Sequence, residues 1–132
     1  MRKAAATVVL GITAIILLQA TGLLGSRRSI EEAVPAVRVQ IEMLGIALDG
    51  FRPDVGRHPT TDEGLRALRH RPDGLETWRG PYLTKEVPAD PWGRPYRYRS
   101  AGDRYEVSSL GGDGAPGGSG NDADVVGTSP GP

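Results

Sequence analysis

Three carboxylates, Asp113, Asp122 and Asp124, lie in the glycine-rich stretch SLGGDGAPGGSGNDADV (residues 109–125), beside the side-chain oxygens of Ser119 and Asn121. Such oxygens, with glycines that let the chain curl its carbonyls inward, suit calcium, which takes about six to eight oxygen ligands. The chain has no cysteine and the stretch has no histidine, which disfavours zinc and copper. Asp113 and Asp124 stand at the first and twelfth positions of an EF-hand-like window. Its third and fifth positions, Ala115 and Gly117, offer no side-chain oxygen, and no helices flank it. Two readings therefore stand: a calcium loop of another design, or a flexible low-complexity tail. A phosphate loop is excluded. GDGAPG (residues 112–117) fits G-x-G-x-x-G, but Pro116 and the glycines after it prevent the helix whose N-terminus would face the anion, and the carboxylates would repel it.

Other chemistry-bearing residues are sparse. His58 and His70 are the only histidines and have no companions at metal-ligand spacing. With Arg57, Arg66, Arg69 and Arg71 they read as a solvated face, since no aromatic residues interleave to make a nucleic-acid surface. The formal net charge is zero, which also gives no reason to expect nucleic acid. His58, Asp62 and Glu63 are close in sequence, but such a cluster in a loop reads as surface, and no nucleophile and base are arranged for catalysis. The chain is not expected to be an enzyme. Charge is distributed unevenly: no lysine or arginine follows Arg104, whereas Glu106, Asp113, Asp122 and Asp124 do.

The elements that must position the loop begin with residues 1–28. Arg2 and Lys3 precede an uncharged apolar run from Ala4 to Gly25, which as a helix would be roughly 30 Å long, about the hydrocarbon thickness of a bilayer. The run favours a retained membrane anchor over a secretory signal peptide, for which Ala20-Thr21-Gly22 would be the cleavage site. Either way the remainder, residues 29–132, is exported. There, Ile30, Val34, Val37, Ile41, Leu44, Leu48 and Phe51 recur at spacings of three and four and predict an amphipathic helix. Ser29 and Glu32 form a capping box, Pro35 kinks or delays the start, and Gly50 and Pro53 end it. A short helix capped by Thr61 should follow, with Leu65 and Leu68 inward. Asp90-Pro91 and Gly93 are turn chemistry, and Trp92 is large enough to close one end of a small core. Tyr96 and Tyr98, then Tyr105, Val107 and Ser109, alternate with polar residues around Ala101-Gly102-Asp103, which predicts an antiparallel hairpin. Laid on the helix, it makes a small α+β domain.

These segments resemble one family in order and motif. IEMLGIALDGFRPDVGRHPTTDEGLRAL, GPYLTKEVPADPWGRPYRY and SLGGDGAPGGSGNDADV are similar to the major pseudopilins, the G proteins of type II secretion systems, nearly throughout Ile41 to Val125. PADPWG with the acidic loop is the specific pair. The resemblance implies one structural calcium ion, with Asp113 and Asp124 as side-chain ligands, Leu110 and Ser119 as carbonyl donors, and Asp122 as a weaker candidate. It implies a long helix, apolar then amphipathic, on a small antiparallel sheet. It also implies a single-pass inner-membrane subunit with a periplasmic C-terminal domain. Such subunits pack through their N-terminal helices with one another into a short fibre, the pseudopilus, within a machine that exports folded proteins across the outer membrane. The N-terminus departs from the pattern: the basic leader ending in glycine and the F-T-L-[IV]-E that follows it are not present, and the expected glutamate aligns near Ala6. The alternative is therefore a membrane-anchored or secreted calcium-binding interaction domain that does not polymerise.

Overall fold

The protein was described through a computed structural model covering residues 32–130. Ser29, Ile30 and the apolar run, with its reading as an anchor or signal sequence, lie outside the described residues. Among the described residues no helix is long and apolar enough to cross a membrane.

Helix α1, Ala33–Val55, buries Val37, Ile41, Leu44, Leu48 and Phe51 of the predicted stripe together with Ala33 and Ala47, while Val34 is only half-buried. Pro35 falls in its first turn, where a missing N–H has no intrahelical partner to lose. The expected end at Gly50 and Pro53 is corrected, because the helix runs one turn further. Pro53 forgoes one bond to the Asp49 carbonyl, while Phe51 and Val55 pack against the core on either side of it. The stop is Gly56, whose N–H donates to the Arg52 carbonyl at 2.7 Å with φ +84°, the left-handed conformation that glycine adopts most readily after a helix.

The short helix after it is a single 3-10 turn, Leu65–Leu68, and Thr61 does not cap it. Its N-cap is Gly64, with no side-chain cap, and Thr60 closes the turn that precedes it. Its hydroxyl accepts the Glu63 N–H at 3.1 Å, while Glu63 Oε2 accepts the Thr60 N–H at 2.9 Å, a reciprocal pair of the capping-box kind. Thr61 Oγ1 accepts the Ser100 N–H at 3.0 Å and donates to its carbonyl at 3.2 Å. This occupies backbone groups at a strand edge that would otherwise be open to another chain.

Three antiparallel strands follow in the order β1-β2-β3: β1 Arg97–Ala101, β2 Arg104–Ser109 and β3 Val125–Thr128. The hairpin turns at Gly102-Asp103, with Tyr98 opposite Val107, and Val107 opposite Gly127 on its other side. Tyr105 and Val107 of β2 and Val125 of β3 join the α1 face in one core, which is the α+β arrangement expected from the alternation. Helix and sheet approach closely at Gly127, since a Cβ there would run into Ile41 Cγ2. Trp92 packs on the edge of this core. Trp78 and Tyr82 cover its other end: the Trp78 indole N–H donates to Ala67 O at 2.8 Å, and Tyr82 packs against Phe51 at 5.4 Å between ring centres.

Candidate metal loop

The glycine-rich stretch is the connection between two neighbouring strands, β2 and β3, so the tail reading is replaced by a closed loop. It leaves β2 at Ser109, which is buried (1% exposed). The Ser109 hydroxyl donates to Asp90 Oδ2 at 2.8 Å. Asp90 is itself buried (4% exposed), and its Oδ1 accepts the N–H groups of Trp92 at 3.1 Å and Arg94 at 2.9 Å. A buried carboxylate demands such donors, and the aspartate-proline turn supplies two from its own backbone. The Asp90 N–H donates in turn to the Arg94 carbonyl at 2.8 Å, closing the turn. The two motifs, PADPWG and the acidic loop, are therefore one hydrogen-bonded unit.

Arg94 extends that unit. Its Nη1 donates to the Gly111 carbonyl at 2.9 Å, and Nη1 and Nη2 both reach the Gly112 carbonyl at 3.3 Å. The sequence singled out Asp90-Pro91 and Gly93 but not Arg94, because its acceptors are main-chain oxygens that carry no residue signal.

The return limb is held mostly by backbone. The Gly112 N–H donates to Asn121 O at 2.9 Å, and Asp122 N–H to Ser119 O at 3.1 Å, across a 3-10 turn at Gly120–Asp122. Asp113 Oδ1 accepts the Ala115 N–H at 3.0 Å. Asp124 Oδ2 accepts the Gly117 N–H at 3.0 Å, so the last aspartate clips the middle of the loop to its end.

The expected ligands are placed unequally. Asp113, Ser119 and Asp122 are exposed, while Leu110 and Asp124 are half-buried. Among the described residues no three histidine, aspartate or glutamate side chains converge as a metal-holding group. Two oxygens do call for a partner: Asp124 Oδ1 and Asn121 Oδ1 are buried and have no hydrogen-bond partner. Buried acceptors in that state are costly unless something positive reaches them. Both are hard oxygens, the donor type that calcium takes, and such a site would draw its remaining ligands from main-chain carbonyls. The donor chemistry of Asp124 and Asn121 thus makes them the first candidates to hold a calcium ion. Asn121 stood in the sequence only as a neutral oxygen beside the aspartates.

The other candidates disperse. His58 is not part of a solvated face: it is 3% exposed, edge-on to Tyr105 at 4.8 Å between ring centres. Both its ring nitrogens lack hydrogen-bond partners, and the Asp49 carboxylate lies 3.6 Å away. Glu63 faces Arg57 in a two-pronged pair at 2.7 and 2.9 Å. That pairing holds the Glu63 carboxyl below its ordinary value and raises Arg57. His70 pairs with Glu86 at 2.8 Å. His58, Asp62 and Glu63 therefore do not assemble into a reacting group.

The chain has counterparts among known proteins. A family model described as "Type II secretion system (T2SS), protein G" matches residues 27–128. A type II secretion system core protein G of Pseudomonas aeruginosa is 35% identical over 123 residues, covering 89% of this chain and 84% of that protein. One of Vibrio cholerae is 38% identical over 122 residues, covering 89% and 81%. Among solved structures, the major pseudopilin from the type 2 secretion system of enterohaemorrhagic Escherichia coli superposes with a TM-score of 0.56 at 30% identity, over 77% of this chain and 89% of that one.

Proposed function

This chain belongs to the protein G family of the type II secretion system, and from that premise we propose that it is a structural subunit of the pseudopilus, serving export of folded proteins. The family match carries the reading, because it spans helix, turn, sheet and acidic loop together, at residues 27–128. In this reading the apolar residues 4–25 hold the subunit in the inner membrane and pack against those of other copies. Residues 29–132 form the periplasmic part. Arg2 and Lys3 precede the apolar run and Arg27 and Arg28 follow it, so flanking charge is balanced and the orientation rests on the family likeness.

The β2–β3 loop binds one calcium ion in a structural role. The unpartnered oxygens of Asp124 and Asn121 support this, with Asp113, Asp122 and the carbonyls of Leu110 and Ser119 as the further oxygens that the family likeness implies. The ion would supply charge to an acidic connection that has no lysine or arginine of its own. Catalysis is no part of the reading, since the site offers closure of a loop and no reacting pair.

A second reading is favoured by one residue. Ala6 stands near the position where the family has a glutamate, and an alanine has no carboxylate to pair with a neighbouring terminus. On that reading the domain is anchored or secreted, binds calcium and does not polymerise. A cysteine-free chain makes the test direct. Ile46→Cys places a single thiol on an exposed part of α1 (73% exposed). Treated with a long-spacer bis-maleimide in membranes of cells that carry the secretion system, it should give cross-linked copies, and deletion of the gene should stop export of the secreted proteins. Monomer alone, with export intact, would favour the second reading.

A further inference from the structure

We propose that the Arg94 guanidinium is a tethered cation that orders the β2–β3 connection before any metal ion arrives, so that the loop is pre-shaped for its ligand.

The geometry is that of an arm fixed at its base. The Arg94 N–H is held by Asp90 Oδ1 at 2.9 Å and its carbonyl by the Asp90 N–H at 2.8 Å. Asp90 is anchored in turn on the buried Ser109 at the end of β2. From this base the guanidinium spans the carbonyls of Gly111 and Gly112. Two adjacent carbonyls aimed at one point concentrate negative potential. A planar fork of charged donors answers it better than a point charge does.

The charge has to come from outside the loop, because the sequence carries no lysine or arginine after Arg104. Fixing Gly112 also fixes the return limb, since its N–H donates to Asn121 O. Asn121 is one of the two residues whose buried side-chain oxygen has no partner. Arg94 thus acts on the candidate calcium ligands through the main chain. It is a positioning residue, and it leaves the coordinating oxygens to the return limb.

The ordering consequence stands on the hydrogen bonds alone; the affinity consequence rests on the calcium reading above. A loop ordered only part of the time binds more weakly by the fraction of time it is competent. The experiment is amide hydrogen exchange on the full chain in detergent, in chelator, comparing the wild type with Arg94→Met, followed by calcium chloride titration calorimetry on both. The expected result is about tenfold or greater loss of protection at Gly112, Asp122, Ala123 and Asp124 in the variant, with the β1–β2 amides unchanged. Calcium affinity should fall by the factor by which the ordered fraction of the loop, read from the same protection factors, falls.

Loop amides as protected in Arg94→Met as in the wild type would overturn the proposal. So would an ordered fraction that falls with undiminished calcium affinity. If the methionine variant loses protection throughout, Arg94→Lys decides by the same criteria: it keeps the charge on a shorter arm without the planar fork that gives Gly112 O two donors, and should lose protection in the loop alone. If neither protein binds calcium, the calcium reading falls, and the exchange comparison still judges Arg94.

Discussion

Burial pushes the phenols of Tyr96 and Tyr98 up to about 12 each, desolvation being the leading cause in both. Tyr98 also donates to the Pro59 carbonyl at 2.8 Å, and Tyr96 reaches Gln40 on α1. In the unfolded chain both ionise near about pH 10. Their folded-state values are raised, so the stability they carry is complete below that point and is lost as the pH climbs toward about 12. Urea midpoints should fall steeply from about pH 10 upward, and Tyr98→Phe should flatten that fall. An alkaline limb of unchanged slope in the phenylalanine variant would contradict this. Glu63 works in the opposite sense. Arg57 lowers its carboxyl, so its contribution is present above the ordinary carboxylate range and is lost as the pH falls through the depressed value. Glu63→Gln should flatten the acid limb and, with Arg57 40% exposed, cost no more than about 1 kcal/mol at neutral pH. The tyrosines were legible in the sequence because they alternate with arginines at strand spacing. His58 was not. It sits among charged and turn residues, and what buries it, Tyr105 and Asp49, comes from β2 and α1.

Between elements, the decisive contacts are those that join segments far apart in the chain. Asp90 joins the turn to the end of β2, and Asp90→Ala would leave the Ser109 hydroxyl and the N–H groups of Trp92 and Arg94 without their acceptor. The loss should be about 2–4 kcal/mol in urea unfolding, and less than about 1 kcal/mol would show that water replaces the carboxylate. Gly127 joins β3 to α1. Gly127→Ala sets a methyl against Ile41 Cγ2 and should cost about 1–3 kcal/mol by overpacking. Ile41→Ala in the same chain should recover part of it, giving a non-additive double-mutant cycle; strict additivity would mean that the helix shifts instead. At this scale the helix and hairpin could be read from periodicity, since each has a long enough run of alternating or stacked apolar positions. Strand β3 could not. VVGT is four residues long, follows a glycine-aspartate run, and owes its pairing to β2. The helix end was misplaced for a related reason: Gly50 and Pro53 are local stop signals, and the packing of Phe51 and Val55 on either side of Pro53 overrides them.

For the whole molecule, a small domain without disulfides has little stability to spare, and this one carries two buried oxygens without partners in its last connection. A ligand that binds only the folded state adds about 2.7 kcal/mol when present at about a hundred times its dissociation constant. For a domain of about 100 residues each kcal/mol moves the melting temperature by about 4–8 °C, so saturating calcium should raise it by about 10 °C or more. Magnesium should do less, because it holds its waters and demands a tighter octahedron than a glycine-rich loop provides. Asp124→Ala removes both the unpartnered oxygen and the clip to Gly117, so it should lower the melting temperature in chelator and also abolish the calcium gain. Asp113→Ala separates those two effects. The Asp113 carboxylate accepts the N–H of Ala115, two residues on in the same turn, in an exposed hydrogen bond, so its loss should leave the chelator melt nearly unchanged while shrinking the calcium gain. If melts of the full chain in calcium, magnesium and chelator superimpose, the two orphaned oxygens are satisfied by water, and the loop is held by Asp90, Arg94 and the backbone alone.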